Sequence, residues 1–521
     1  MTEGLPDTVR MRRLWLAVAM GVLFWWLARR LPFDGDAQPA AAAAVLGVTA
    51  LTITCWLTLA LPIGAASLLP VALLPLLGAV PMETIVRAYG HPILWLFGGG
   101  FVLAQAIERW GLHRRLALRV VGIVGPHPRR LVLGVFLCAT GISLWISNTS
   151  VALMLLPIGW AIVDRTTAGG QLTPAAARNF GACVMLAIAY GASVGGMGTP
   201  IGTAPNALFF INYQSLVQQG APPVTFLQWM VAFVPYVVAL AVVFSVLLTT
   251  VVLPLPRGRL AGGDSMLQEA KALGPMTVAE RRVAWLFGTA IVLWVTRADA
   301  RLAEDFVVRG WAYWLRPAGA RGEFVPDGVV AVAVAIAAFV IPAGGDAGAG
   351  KRLMDWETAR KLPFDILFLL GGSMALADAF EPTGLSRSFG ALLAPLVGHV
   401  HPLLLITVLC AAILLLSEVA SNTAIAALFL PILKQGAIAA HLDPRLLLLP
   451  ATLAASCGFM LPIATPPNTI VFATGRIGIG QMLRAGLVLD VLAIAMLVLV
   501  FWFWALPCLG VDPEVAPPWL R

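Results

Sequence analysis

Charge is scarce in this chain: Asp, Glu, Lys and Arg make up 12% of its 521 residues, while 60% are hydrophobic. That balance excludes a water-soluble globule of ordinary composition. The six cysteines (Cys55, Cys138, Cys183, Cys410, Cys457 and Cys508) stand singly, with no CxxC and no metal-like spacing, so they read as packing residues. The histidines form no HExxH or other ligand pattern. A net charge of +8 could suit nucleic acid, yet no aromatic face interleaves with the basic residues, and no nucleic-acid partner is expected.

What fills the chain instead is apolar runs, among them 14–28, 224–253, 329–341 and 483–505, which approach or exceed the ~20 residues a spanning helix needs. They predict an all-α polytopic membrane protein, of bacterial inner-membrane type, with lipid as its solvent. Assigning each run to a crossing gathers roughly twenty-two Lys and Arg on one side, including Arg12, Arg13, Arg114, Arg115, Arg281, Arg282, Lys351 and Arg352, as cytoplasmic loops require. The N-terminus is therefore expected inside and the proline-rich C-terminal tail outside. The first segment resembles a signal peptide, but Arg29 and Arg30 directly after it are unlike a cleavage region, so it reads as a retained first helix.

The chain also reads as a duplication. Ser147-Asn148-Thr149, followed by Pro157, is matched without a gap by Ser421-Asn422-Thr423, followed by Pro431. Thr203-Ala204-Pro205-Asn206 is echoed by Thr465-Pro466-Pro467-Asn468, and Phe97-Gly98-Gly99 through Gly111-Leu112 by Leu370-Gly371-Gly372 through Gly384-Leu385. A polar, proline-containing stretch near 254–282 divides the two copies. An odd number of crossings between equivalent motifs makes the repeats inverted, with the site at their interface near mid-membrane. The pattern predicts about eleven transmembrane helices, two re-entrant hairpins and two broken helices.

The hairpins are read from apolar runs too short to cross, 131–146 with 151–163 and 402–416 with 425–433, each pair separated by Ser-Asn-Thr. Polar side chains at membrane depth are tolerated where protein or a water-filled cavity satisfies them. The breaks are read from Gly195-Gly196-Met197-Gly198-Thr199-Pro200 and from Gly458 through Asn468. A broken helix offers carbonyls that suit a hard cation and amide N–H groups that suit a carboxylate. Neutral Ser, Thr and Asn can ligate sodium and hydrogen-bond an anion without a fixed positive charge, so anion affinity comes to depend on the bound cation. Glu418, beside the second tip, reads as a structural carboxylate or as a protonatable group in the path.

These residues, Trp145-Ile146-Ser147-Asn148-Thr149-Ser150, Ser417-Glu418-Val419-Ala420-Ser421-Asn422-Thr423-Ala424 and Ala464-Thr465-Pro466-Pro467-Asn468, resemble the divalent anion/sodium symporter family over nearly the whole chain. The resemblance implies a secondary active transporter, a sodium-coupled symporter of di- or tricarboxylate anions such as succinate. It further implies a homodimer whose scaffold holds the subunit interface while a transport domain moves as an elevator. On that scheme 1–130 and 284–400 are scaffold, 131–254 and 401–505 are transport parts, 255–283 is a cytoplasmic linker and 506–521 an external tail. The first sodium set would be Ser143, Ser147, Asn148 and Gly202; the second Ser417, Ala420, Asn422 and Ala464. The anion would meet Asn148, Thr149, Thr203, Asn422, Thr423, Thr465 and Pro466. The family's usual proline is replaced by Ala204, which is expected to loosen the first loop. A dicarboxylate exchanger and a sulfate or other oxyanion carrier of the same superfamily remain alternatives.

An enzymatic reading rests on Gly191-Ala192-Ser193-Val194-Gly195, which matches GxSxG. That motif needs a preceding strand and a histidine and acid to complete a triad, whereas an apolar helix precedes it here. The chain is expected not to be an enzyme.

Overall fold

Proline and threonine set where the helices of this chain begin. The computed structural model describes residues 7–30, 38–125, 127–168, 172–258, 274–301, 307–317, 324–345, 348–380, 382–385, 388 and 400–520. Its main helices are α1 (Asp7–Ala28), α2 (Pro39–Thr58), α3 (Pro92–Arg109), α4 (Pro128–Ser143), α5 (Asn148–Ala168), α6 (Pro174–Gly196), α7 (Ala204–Gln218) and α8 (Phe226–Leu247) in the first half. The second half holds α9 (Val278–Val295), α10 (Asp327–Val340), α11 (Phe364–Phe380), α12 (Pro402–Val419), α13 (Asn422–Ala439), α14 (Arg445–Ala455), α15 (Pro466–Phe472) and α16 (Ile479–Val500). Pro occupies the first turn of α2, α3, α4, α6 and α12, where its missing N–H leaves no bond unmade. Thr225 with Gln228 and Thr277 with Glu280 close capping boxes at the starts of α8 and α9.

Among the described residues eight helices are long and apolar enough to cross a membrane, with four shorter apolar helices besides, and the strands found are one pair, Ala300–Arg301 against Val307–Val308. The expected linker falls largely on 259–273, outside the described residues. Five of the six cysteines are buried, and all six are free.

Helix α6 is the axis of the packing: every residue from Phe180 to Gly196 is buried. It lies against α4, α5 and α15, while α14 lies against α12, α13 and α7. The two broken helices therefore exchange partners. The first half of each packs on its own hairpin, and the second half reaches the hairpin of the other repeat, α7 on α13 and α15 on α5. The two breaks lie side by side, Cys457 Sγ just after α14 standing 3.9 Å from Met197 Sδ just after α6.

Away from that region α3 packs on α10 and α9 on α10. Trp110 Nε1 donates to the Leu353 carbonyl at 2.8 Å, and Arg109 pairs with Asp355 at 2.5 Å. The Asp355 carboxyl is held down to about 2, first by the N–H and hydroxyl of Thr358 and then by Arg109. Arg297 pairs with Asp327 and donates to the Val325 carbonyl. The polar connection between the halves is pinned at both ends. Arg129 donates twice to the Leu255 carbonyl, at 2.9 and 2.7 Å, and buried Arg115 reaches Glu280 at 3.0 Å and the carbonyls of Gly274 and Pro275 at 2.8 and 3.2 Å.

Candidate functional site

At the first tip α4 ends on Ser143 and α5 starts on Asn148, leaving four residues to turn the chain. Buried Ser143 donates its hydroxyl to Asn148 Oδ1 at 2.9 Å. Ser147 caps α5, its Oγ meeting Ser150 N at 3.4 Å and Ser150 Oγ at 2.9 Å. The break after α6 comes up against this turn. A Cβ built on Gly196 would lie 2.5 Å from Asn148 Oδ1 and 3.2 Å from the Gly202 carbonyl, so only glycine permits the approach. Inside the break Asn206 Nδ2 donates to the carbonyls of Gly196 at 2.9 Å and Thr199 at 2.7 Å, tying its two ends together. Thr199 is tied in turn to the Leu144 carbonyl, and Trp229 Nε1 donates to Met197 O at 3.0 Å.

The second tip repeats the arrangement atom for atom in its main features. Ser417 donates to Asn422 Oδ1 at 2.7 Å and lies 2.7 Å from the Ala455 carbonyl that ends α14. A Cβ on Gly458 would stand 3.3 Å from Ala464 Cβ and the Ser417 carbonyl, and 3.6 Å from Asn422 Oδ1. Asn468 Nδ2 braces the break through Gly458 O at 3.0 Å and Leu461 O at 3.1 Å. One element has no counterpart in the first half: the Glu418 carboxylate accepts the backbone N–H groups of Phe459, Met460 and Leu461 at 2.6, 2.9 and 2.9 Å. Three donors compensate a buried carboxylate without a cation. Glu418 is thus the structural carboxylate of the two roles its position allowed.

The chemistry of the region follows from helix ends. Four helices stop at these tips and breaks, α4, α6, α12 and α14, and present C-terminal carbonyls; α5, α7 and α13 start there with N–H groups free of the helix ladder, whereas at the start of α15 Pro466 and Pro467 have no N–H and Asn468 N is held by Thr465. The first set suits sodium and the second a carboxylate. No metal or anion is needed to explain the Ser-to-Asn bonds themselves, but each Asn Oδ1 keeps a second lone pair beyond the one its serine uses.

Of the residues expected in the sodium sets, Ser143, Asn148 and Gly202 meet at the first break, and Ser417, Asn422 and Ala464 at the second. Ser147 is next in chain but its hydroxyl is engaged with Ser150, and Ala420 is the half-buried C-cap of α12. Of the anion set, Thr149, Thr203 and Thr423 are half-buried, Thr465 is buried and Pro466 exposed. Thr203 and Thr465 are both N-caps with extended backbone; Thr465 accepts from Asn468 N at 3.3 Å, while the Thr203 side chain makes no capping bond. Ala204 leaves the Asn206 brace intact. The GxSxG serine, Ser193, lies fully buried inside α6 with no partner for its hydroxyl, so it has neither the strand-to-helix turn nor the base a nucleophile requires.

Sequence reasoning missed two cross-links between the halves. Tyr190 donates to Phe459 O at 2.7 Å, and Tyr236 to Ala493 O at 3.1 Å. A tyrosine buried in an apolar run needs some partner, which was the available signal. It also passed over Asp490, the one acid in α16.

Comparison with known proteins fits this geometry. The family model described as the sodium:sulfate symporter transmembrane region matches residues 11–510. The chain is 37% identical over 472 residues to the sodium-dependent dicarboxylate transporter SdcS of Staphylococcus saprophyticus, covering 90% of this chain and 87% of that one. It is 35% identical over 496 residues to SdcS of Staphylococcus aureus, covering 94% and 90%. Among solved structures the Alcanivorax borkumensis YdaH transporter shares the fold, with a TM-score of 0.51 at 15% identity over 83% of this chain and 90% of that one.

Proposed function

We infer that this chain, which belongs to the sodium:sulfate symporter family, is a secondary transporter that couples sodium to the movement of dicarboxylates across a plasma membrane. It is a multi-pass transporter and not an enzyme. The observation that carries the reading is the doubled lock, a serine bonded to the asparagine of a helix start and set against a glycine break, Ser143–Asn148 at Gly196 and Ser417–Asn422 at Gly458.

Beyond that we propose that each lock holds one sodium, through Ser143, Ser147, Asn148 and Gly202 and through Ser417, Ala420, Asn422 and Ala464. The anion, succinate or a close relative, lies between them against Asn148, Thr149, Thr203, Asn422, Thr423, Thr465 and Pro466. Its two charges are met by helix N-termini and by bound sodium, since no Lys or Arg stands in either tip or break. Burying a dianion on neutral dipoles alone is costly, so sodium and anion strengthen each other's binding by the same factor.

The division into scaffold and transport parts and the elevator movement belong to the same proposal. Supporting it, Arg109–Asp355 and Trp110–Leu353 join the two scaffold parts to each other, whereas Tyr190–Phe459, Tyr236–Ala493 and Arg476–Asp164 join the two transport parts. The proposal includes inverted repeats, a homodimer, a cytoplasmic N-terminus and an external C-terminus. The test is uptake of radiolabelled succinate into proteoliposomes, with sodium, pH and internal anion varied independently and sulfate offered as competitor. Sodium should drive accumulation. Equal succinate binding in sodium and in choline at fixed pH and ionic strength would sink symport and leave exchange.

A further inference from the structure

Helix α16 carries a single acid, Asp490, midway along an apolar span. Asp490 is 3% exposed, and its carboxylate oxygens make no hydrogen bond of ordinary geometry, their polar neighbours being the Glu418 carboxyl and the Phe459 amide. Its place is fixed by a close approach one helical turn earlier, where a Cβ on Gly486 would overlap the backbone of Phe459 and Met460. Those are the residues whose amides Glu418 holds. Asp490 thus faces the rear of the second helix break, with the Glu418 charge within electrostatic reach.

Among the described residues no cation pairs with Asp490. Helices α8, α12 and α14 pack on α16, as do the π-turns that continue α8 and α16, 248–252 and 501–505, which carry no ionisable residue. The titratable groups on this side are Glu418 and Cys410 of α12, Tyr236 of α8, Tyr190 of α6 and Cys457 after α14. Tyr190 and Tyr236 donate their protons to Phe459 O and Ala493 O. The basic residues these helices carry are Arg445, bound to Asp443 and to the Leu509 carbonyl, and Arg484 of α16 itself, which is exposed. A bare carboxylate in such a place is heavily penalised unless paired, and Glu418 beside it adds repulsion.

We propose that Asp490 binds an exchangeable monovalent cation, sodium or a proton, as a site additional to the two locks at the hairpin tips. This rests on the transporter reading. The bound cation relieves the repulsion between two carboxyls, one of which grips residues 459–461, so occupancy of Asp490 bears directly on the shape of the second break. Each anion moved is then accompanied by one cation beyond those at the tips.

The test compares wild type with Asp490→Asn in proteoliposomes, measuring sodium and succinate co-flux at acid, neutral and alkaline pH. If the cation is sodium, the variant moves one sodium fewer per succinate with its pH profile unchanged. If it is a proton, the sodium ratio holds and the pH dependence of uptake flattens. A variant matching wild type in both overturns the proposal, while wild type that shows no sodium-driven uptake defeats the transporter reading instead. Should the variant fail to insert, wild-type protein is treated with an apolar carbodiimide, which attacks protonated carboxyls, and Asp490 is followed by peptide mass mapping. Modification slowed by sodium relative to choline, or by raising pH, supports the site; a rate indifferent to both removes it.

Discussion

Ser143 and Ser417 orient the asparagine oxygens five residues on, and under the proposed function that single bond at each tip decides which lone pair is left for sodium. Replacing Ser143 by Ala frees Asn148 to rotate and removes about 1 kcal/mol of neutral hydrogen bonding, so the sodium concentration for half-maximal uptake should rise about three- to tenfold. The maximal rate at saturating sodium should change less; an unshifted half-saturation would take Ser143 out of the site. On the proposed site Asn148→Ala and Asn422→Ala each remove a group shared by ion and anion, and each should abolish concentrative uptake in protein that still inserts and folds. Near-normal transport by either would clear the tips of this role. Glu418 is different in kind. Glu418→Gln keeps the shape but weakens three charge-assisted bonds to residues 459–461, and thermal melting in detergent should show a loss of about 1.5–3 kcal/mol. A melting point equal to wild type would mean the carboxylate is not what holds the break. The two tips themselves were legible because Ser-Asn-Thr occurs twice in register between short apolar runs, whereas a single copy is more often a helix cap or turn. Asp490 was not, since one acid in a long apolar run leaves the run's period and length unchanged.

At the scale of elements, the breaks were readable because glycine and proline in an apolar run remove propensity and donors whatever the tertiary context. The structure puts the ends of α6 and α14 at Gly196 and Ala455, close to where Gly195 and Gly458 predict them. The second hairpin was less legible. Its arms, α12 and α13, run 18 residues each and are long and apolar enough to cross a membrane, where the sequence suggested runs too short to do so; α5 of the first hairpin, at 21 residues, also exceeds its apolar run. Helix α12 continues through Ser417 and Glu418 because backbone amides from a distant segment satisfy the carboxylate, a partner that local sequence cannot announce. The exchange of partners between the broken helices was likewise beyond pattern reading, since it depends on packing between residues hundreds of positions apart. It makes a sharp prediction about Gly202, where a Cβ would collide with the Gly196 backbone, whereas one on Gly141 meets nothing within 4 Å. Gly202→Ala should abolish sodium-dependent uptake, and Gly141→Ala should leave it within about twofold of wild type. Equal activities would show that the break tolerates opening.

For the whole molecule, orientation follows from charge rather than from packing. A single cysteine placed within 258–273 should be labelled from the cytoplasmic side by an impermeant maleimide, and one after Pro513 from outside. Labelling of both from one side would break the inverted-repeat proposal. The pinned connection between the halves carries a separate consequence for covalent continuity. Leu255 is gripped by Arg129 on one side of the connection, and Gly274, Pro275 and Glu280 by Arg115 on the other. Tyr190 and Tyr236 then stitch the halves together at depth. With the flanks held in this way, the halves are expected to stay assembled when the chain is cut between them. A protease site inserted within 259–273 and cut in the membrane should give two fragments that co-purify through a tag on either one and still accumulate succinate; fragments that part in mild detergent would show that the connection itself holds the halves together.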